Sequence, residues 1–507
     1  MAKDLSQPLE AFKAFYSVGL LIFSIAIIMG LIANSDTKLS QDVAPGLAYF
    51  TLWGAIIWLT MVEGGQGSLV GLVPVNFDLY KDSHKLAYKS TVVCYEGDNL
   101  DRYLLGRQFM VVLVVFTVNI SGGPNEGAEL WGLPDVIFEI FLGGGLAMIL
   151  LTCNVGQLNS QVNASHCMLD YINNYFALFT FYVAMLVEFS GLLHSSYLVQ
   201  MAVAAIAGQP IISNEPPRSA GQSVFFWGRC LVSLAILCFC FAVTFKALFD
   251  EQTTLWDGVP APVAIIVWFV LMCVVGMLEG MQIAFFAMAK LPESERGDSY
   301  WAKKTCALLF KGEGVNLPGF MIGRQLCVVS CMFFVARVTS VDTGDAGNVF
   351  GVSDGLQELF NTGMLGALIV TIIASISWQL VASAFPMLFL NNPMTYFLLV
   401  LCLGLEATGL CNAAWVLAAI HKKIAGFQRD EVYIGTAEER AAKNLADKSI
   451  PSGVGHMYKL PGFAEHLTMP SAMQELIEND PNVKKFVDDL MDSVHSTGNS
   501  GVKADVP

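Results

Sequence analysis

Apolar residues in this chain come in long unbroken blocks, without the alternation of a strand or the single stripe of a surface helix. Ala14–Ala33, Pro262–Gly276 and Tyr396–Glu406 run with almost no charge. About 20 such residues cross a bilayer, and hydrocarbon offers the backbone no water, so blocks of this kind are helices. The pattern predicts ten spans, at residues 13–33, 46–63, 104–120, 134–153, 172–207, 223–247, 261–283, 321–338, 362–385 and 394–420. The fifth is longer than a crossing needs, so it tilts, kinks or ends on the surface. The first apolar run is longer than the core of a signal peptide and no clear small-residue cleavage site follows, so it counts as a span.

Composition agrees. Hydrophobic residues make up 54% and charged residues 14%, against about 25% charged in soluble domains. Mean hydropathy is +0.56. A net charge of −15 with no basic patch excludes nucleic-acid binding. Most of the excess acid lies in residues 1–421, where a charge in or beside a span is costly and usually functional. The twelve cysteines show no zinc spacing; those inside apolar blocks, such as Cys230, Cys240 and Cys402, read as small hydrophobes.

With the N-terminus inside, the loop after span two (Lys81, Lys85, Lys89, Arg102) and the start of the tail (Lys422, Lys423, Arg429) are cytoplasmic, as the positive-inside rule asks. The loop after span seven (Lys290, Arg296, Lys303, Lys304, Lys311) then lies outside, against that rule.

A repeat explains the conflict. Glu63-Gly64-Gly65-Gln66 recurs as Glu279-Gly280-Met281-Gln282, 216 residues on. Glu96-Gly97 recurs as Glu313-Gly314, and Gly106-Arg107-Gln108 as Gly323-Arg324-Gln325, both 217 residues on. Glu139 matches Glu358, Gln157-Leu158 matches Gln379-Leu380, Tyr175-Phe176 matches Tyr396-Phe397, and Glu188 matches Glu406. Ordered matches at nearly constant offset mean homologous halves. Five spans per half is an odd number, so the halves enter the membrane from opposite sides and their matching basic loops lie on opposite faces. The expected fold is an all-α polytopic membrane protein whose ten transmembrane helices form two inverted-topology five-helix repeats, 1–209 and 210–421. A polar cytoplasmic tail, 422–507, follows. Secondary transporters built this way place their site at the repeat interface.

The E-G-x-Q elements end spans two and seven, and the G-R-Q elements open spans three and eight. Gly64, Gly106, Gly280 and Gly323 are expected to break their helices or to let another backbone approach closely, and unwound backbone at that depth lines a cavity. The bland alternative is a C-cap glycine with an interfacial polar residue. Arg107 and Arg324 read as snorkelling side chains, with pairing to Glu63 or Glu279 as the alternative. Glu139, Glu188, Glu358 and Glu406 are candidates for binding Na⁺ or a proton, or for structural hydrogen bonding. His166 and Asp170 share a helical face, but no second ligand cluster joins them; Asp170 is expected to cap the fifth helix. No phosphate-cradling loop, nucleophile elbow or zinc motif occurs, so the chain reads as no enzyme. In the tail, Asp480 and Pro481 open a short amphipathic helix through Val483, Phe486, Val487, Leu490, Met491 and Val494, a candidate oligomer or partner contact.

The doubled E-G-x-Q and G-R-Q motifs, in a ten-span chain with a polar tail, resemble the diatom silicic acid transporters over roughly residues 1–430. Cys167-Met168-Leu169-Asp170 is similar to the C-M-L-D motif of the family's pennate members, while the family's coiled-coil tail is weaker here. The resemblance implies a membrane transporter of silicic acid, Na⁺-coupled in marine forms, at the plasma membrane or on intracellular vesicles. It assigns Glu63, Gln66, Gln108, Glu279, Gln282 and Gln325 to the substrate. Silicic acid is a neutral tetrahydroxide whose hydroxyls both donate and accept, and so do Gln amides. A transporter or channel for another small neutral solute is the alternative from the residues alone.

Overall fold

The computed structural model describes residues 2–435 except 74, 126, 208–214, 257, 290–295, 297–298, 312–315 and 344–346, together with Lys485. The expected tail helix lies outside the described residues. Among these residues the fold is all helical, with only two isolated bridges, Thr37 to Pro124 and Thr253 to Val341.

Seven helices are long and apolar enough to cross a bilayer: Pro8–Ala33, Pro45–Gly71, Asn99–Gly122, Ala220–Phe249, Ala261–Phe285, Asn316–Thr339 and Met364–Ala382. The pair Asp135–Gly143 and Leu146–His166, bent by 49°, passes the same test together, either as a broken eighth span or as a re-entrant loop. Spans five and ten of the sequence pattern are not continuous helices. Each breaks into two short pieces, Tyr175–Phe189 with Ser195–Ala207 and Pro393–Ala407 with Ala413–Ala425. The breaks turn on Gly191 and Gly409, at φ of 83° and 74°, a region other L residues rarely enter.

The layers follow from burial. In Asn99–Gly122 and Asn316–Thr339, 83% of the apolar stretch is buried, against 39% for Pro8–Ala33 and Ala220–Phe249. The first two helices are therefore inner and the second two outer. Exposed Phe12, Phe15, Ile22, Val224, Phe225, Leu231 and Val232 stand on the outer pair. So much large apolar surface suits lipid and not water.

The same element order runs twice. An opening helix (Ala2–Ala33; Ala220–Phe249) precedes the E-G-x-Q helix (Pro45–Gly71; Ala261–Ala289), a short connector (Lys85–Cys94; Tyr300–Leu309) and the G-R-Q helix (Asn99–Gly122; Asn316–Thr339). Next comes a helix with a π-helical stretch (Thr152–Leu158; Val370–Ile376), a five-residue helix (Met168–Ile172; Pro386–Leu390) and the broken pair. Gly145 and Gly363, at φ of 77° and 76°, begin the π-distorted helices and correspond at an offset of 218. At that offset Gln379 corresponds to Gln161 and Tyr175 to Pro393. The sequence matches of Gln157 with Gln379 and of Tyr175 with Tyr396 are thus out of register by four and three residues.

The halves interlock. The last helix of each packs on the opening helix and π-distorted helix of the other. Ser17 Oγ donates to Leu410 O at 2.7 Å and Ser233 Oγ to Leu192 O at 2.7 Å, so both ties use equivalent atoms.

Candidate functional site

None of the four motif glycines breaks a helix. All lie inside continuous helices. Their role is close approach: a Cβ on Gly106 would stand 1.8 Å from Ala184 O, and one on Gly323 1.8 Å from Cys402 O. Small residues let helix backbones touch in membranes, where apolar burial alone gives no drive to associate. Gly64 and Gly280 receive aromatic rings, with Tyr171 and Phe389 each 2.3 Å from where a Cβ would sit.

With the backbones this close, the polar side chains of both halves meet in one buried cavity. All six substrate candidates, Glu63, Gln66, Gln108, Glu279, Gln282 and Gln325, line it, with Arg107, Arg324, Gln157, Gln161 and Gln379. Its free space is about 20 Å³, room for roughly one water. A larger solute requires the walls to move.

The arginines do not snorkel. Arg107 is 5% and Arg324 4% exposed, because each meets the buried carboxylate of its own half. Arg107 Nη2 lies 2.5 Å from Glu63 Oε2, and Arg324 Nη1 2.9 Å from Glu279 Oε1. Glutamine amides complete the shells. Gln157 Nε2 donates to Glu63 Oε1 at 3.3 Å and Gln161 Nε2 to Glu63 Oε2 at 3.0 Å. Gln379 Nε2 donates to Glu279 Oε2 at 2.9 Å. Buried ions are tolerable only when paired and hydrogen-bonded in this way.

Each arginine also donates to its neighbouring amide, to Gln108 Oε1 and Gln325 Oε1, both at 2.7 Å. Among the described residues, the side-chain NH₂ groups of Gln66, Gln108, Gln282 and Gln325 donate to no protein acceptor. The cavity thus presents four open amide donors while its two carboxylates and two guanidinium groups cancel. Gln157, Gln161 and Gln379 were not among the sequence candidates, although the polar run Asn154, Gln157, Ser160, Gln161 inside an apolar block signalled them.

The four ion-coupling candidates lie elsewhere. Glu139 and Glu358 are exposed, and Glu406 is half-buried. Glu188 is buried and accepts from Tyr197 Oη at 3.4 Å. It lines a second cavity of about 210 Å³ with Arg102, His194, Glu215 and Arg229. Leu105, one turn from Gln108, and Leu380, next to Gln379, also line that cavity. Asp170 is not the cap of the following helix; Asn174 is, accepting from Ala177 N at 2.8 Å. Among the described residues no cluster of His, Cys, Asp or Glu could hold a metal ion.

Long apolar helices closing around a charge-balanced polar centre define a multi-pass α-helical membrane protein. A family profile described as silicon transporter matches residues 5–496, and the chain belongs to that family. No curated protein and no solved structure matches it. Family membership implies silicic acid as the transported substrate.

Proposed function

We propose that the central cavity is the silicic acid site of a Na⁺-coupled transporter working by alternating access, in the plasma membrane or in vesicle membranes. The observation that carries this reading is the set of four unpaired amide donors in a neutral centre. A neutral tetrahydroxide can accept from all four amides and donate to the free Gln66 and Gln282 carbonyl oxygens. No net charge attracts an ion in its place. Glu63 and Glu279 act mainly by fixing the arginines, which in turn orient Gln108 and Gln325.

The doubled element order supports two repeats of opposite orientation, each with five crossings if a broken pair counts as one. In such an arrangement equivalent regions of the halves face opposite sides. The 210 Å³ cavity, whose lining includes Leu105 and Leu380, close to central-site glutamines in sequence, is then the approach from one side. Glu188 in that approach is the best placed of the four acids for the coupling ion. Ion and solute must both favour the same change of state.

The test is reconstitution into liposomes with an imposed sodium gradient and silicon accumulation as readout. Uphill accumulation that collapses with the gradient supports symport. Accumulation only to equilibrium, without counterflow, would mark a channel. Germanic acid, of the same shape, should compete.

A further inference from the structure

The C-M-L-D segment does not line the central site, yet several hydrogen bonds hold it. Its partner is the chain 262 residues later. Asp430 N–H donates to His166 O at 3.0 Å. The Asp430 carboxylate accepts from Met168 N at 2.7 Å and Leu169 N at 2.9 Å. The clasp is reciprocal, because Asp170 accepts from Gln428 N at 2.7 Å and Tyr433 Oη at 3.3 Å, with His84 Nε2 at 3.1 Å. Each carboxylate satisfies amides of the other segment, the charge-assisted kind of hydrogen bond.

The gripped helix, Met168–Ile172, carries Tyr171 to the site. Tyr171 Oη donates to Thr60 O at 2.8 Å, and its ring fills the space over Gly64, next to Glu63. Asp430 is therefore joined to the first E-G-x-Q element through one short helix and one aromatic ring.

We propose that Asp430 is a positioning residue for transport: docking of the segment 426–435 sets how deeply Tyr171 presses on Glu63-Gly64, and so ties the state of the C-terminal segment to the shape of the solute site. This rests on the reading of the central cavity as that site.

Burial pushes the Asp430 carboxyl up to about 7, with the Leu169 and Met168 amides pulling the other way. Its charged and titratable surroundings are Glu431 and Asp170, Cys167 in the gripped turn, Lys422 and Arg429, with His84 and Tyr433 across Asp170. A carboxyl that holds its proton more tightly when docked favours docking in acid. The clasp weakens as pH rises from 3.8 towards about 7 and levels off above that.

Hydrogen exchange on the full-length purified protein tests this without needing transport. Asp430→Ala should speed exchange of the Met168–Ile172 and Thr60–Gln66 amides about tenfold. It should also raise the silicic acid KM about fivefold, leaving maximal uptake per transporter in the membrane nearly unchanged. Tyr171→Phe, which keeps the ring, should move both in the same direction by less. The wild type should lose protection, corrected for intrinsic exchange, between about pH 4 and about pH 7, and Asp430→Asn should not follow that profile. Unchanged exchange at Thr60–Gln66 in Asp430→Ala overturns the proposal. So does an unchanged KM in that variant when Gln108→Ala raises it. If Gln108→Ala also leaves KM unchanged, the site assignment fails, and exchange alone decides whether the clasp reaches Glu63.

Discussion

The two halves keep the same site but support it differently. Around Glu63 two amides, Gln157 and Gln161, join Arg107; around Glu279 Gln379 joins Arg324, with Ser375 where the first half has Gln157. Tyr171 bonds Thr60 O in the first half, whereas the second uses Phe389 beside Trp378, whose ring occupies the space over Gly276. The five-residue helices differ most. Pro386 begins one and has no N–H to satisfy, while Met168 and Leu169 begin the other and need the Asp430 carboxylate. The first half is thereby tied to the C-terminal segment through a polar chain, and the second is closed by apolar packing. The Glu, Gln and Arg of the E-G-x-Q and G-R-Q motifs are the same in both halves, whereas the groups that support them differ.

Removing an arginine should separate the halves most. Arg107→Ala or Arg324→Ala leaves a buried carboxylate without its cation, a loss of about 3 to 5 kcal/mol. Thermal unfolding in detergent should show the larger drop for Arg324→Ala, because Glu279 keeps one amide donor and Glu63 keeps two. An equal drop would mean that Gln157 contributes nothing.

Gly106→Ala and Gly323→Ala come next. Both set a methyl against a backbone carbonyl that cannot rotate away, so unfolding should register an equal loss, on the order of 1 to 3 kcal/mol or more. Inequality would show that one helix pair can part more easily.

If the proposed site holds, substitution of Gln66, Gln108, Gln282 or Gln325 by Ala removes one neutral hydrogen bond to the solute, about 0.5 to 1.5 kcal/mol, or roughly a 2- to 12-fold rise in the silicic acid KM. Uptake kinetics should give similar values for equivalent positions. A large effect confined to one half would break the symmetric site.

The smallest effect belongs to Lys38→Ala. Lys38 Nζ meets Asp342 at 3.0 Å in an exposed pair between the halves, and the equivalent positions, Thr254 and Asn125, carry no charge. Stability should fall by less than about 1 kcal/mol; a larger drop would make that pair a real clamp.

Much of the cavity's lining could be read from the chain, because the doubled E-G-x-Q and G-R-Q motifs contain all six candidates that line it. The motif glycines allowed two readings, a broken helix and close approach of another backbone, which leave the same mark in sequence; the structure has the second, at Gly106 and Gly323, and the first at none. Gly191 and Gly409 break their helices inside spans that hydropathy averaging reads as continuous, although Ser190 and His194 flank the first and Thr408 and Asn412 the second. Gln161 escaped the repeat because the offset drifts from 216 to 218 along the chain, and Gln157 stood nearby to be matched instead. Asp430 was illegible for another reason. Its partners are local backbone amides of a distant turn, and amides have no signature in sequence.

The cancelling Glu–Arg pairs also bear on electricity. Each uncompensated charge carried across a membrane potential exchanges about 2.3 kcal/mol per 100 mV with the field. A centre holding two carboxylates and two guanidinium groups gives the voltage no handle, with or without its uncharged cargo. If uptake is coupled to an ion, as proposed, any steady current that accompanies it is carried by that ion, and charge moved per silicon counts the ions directly.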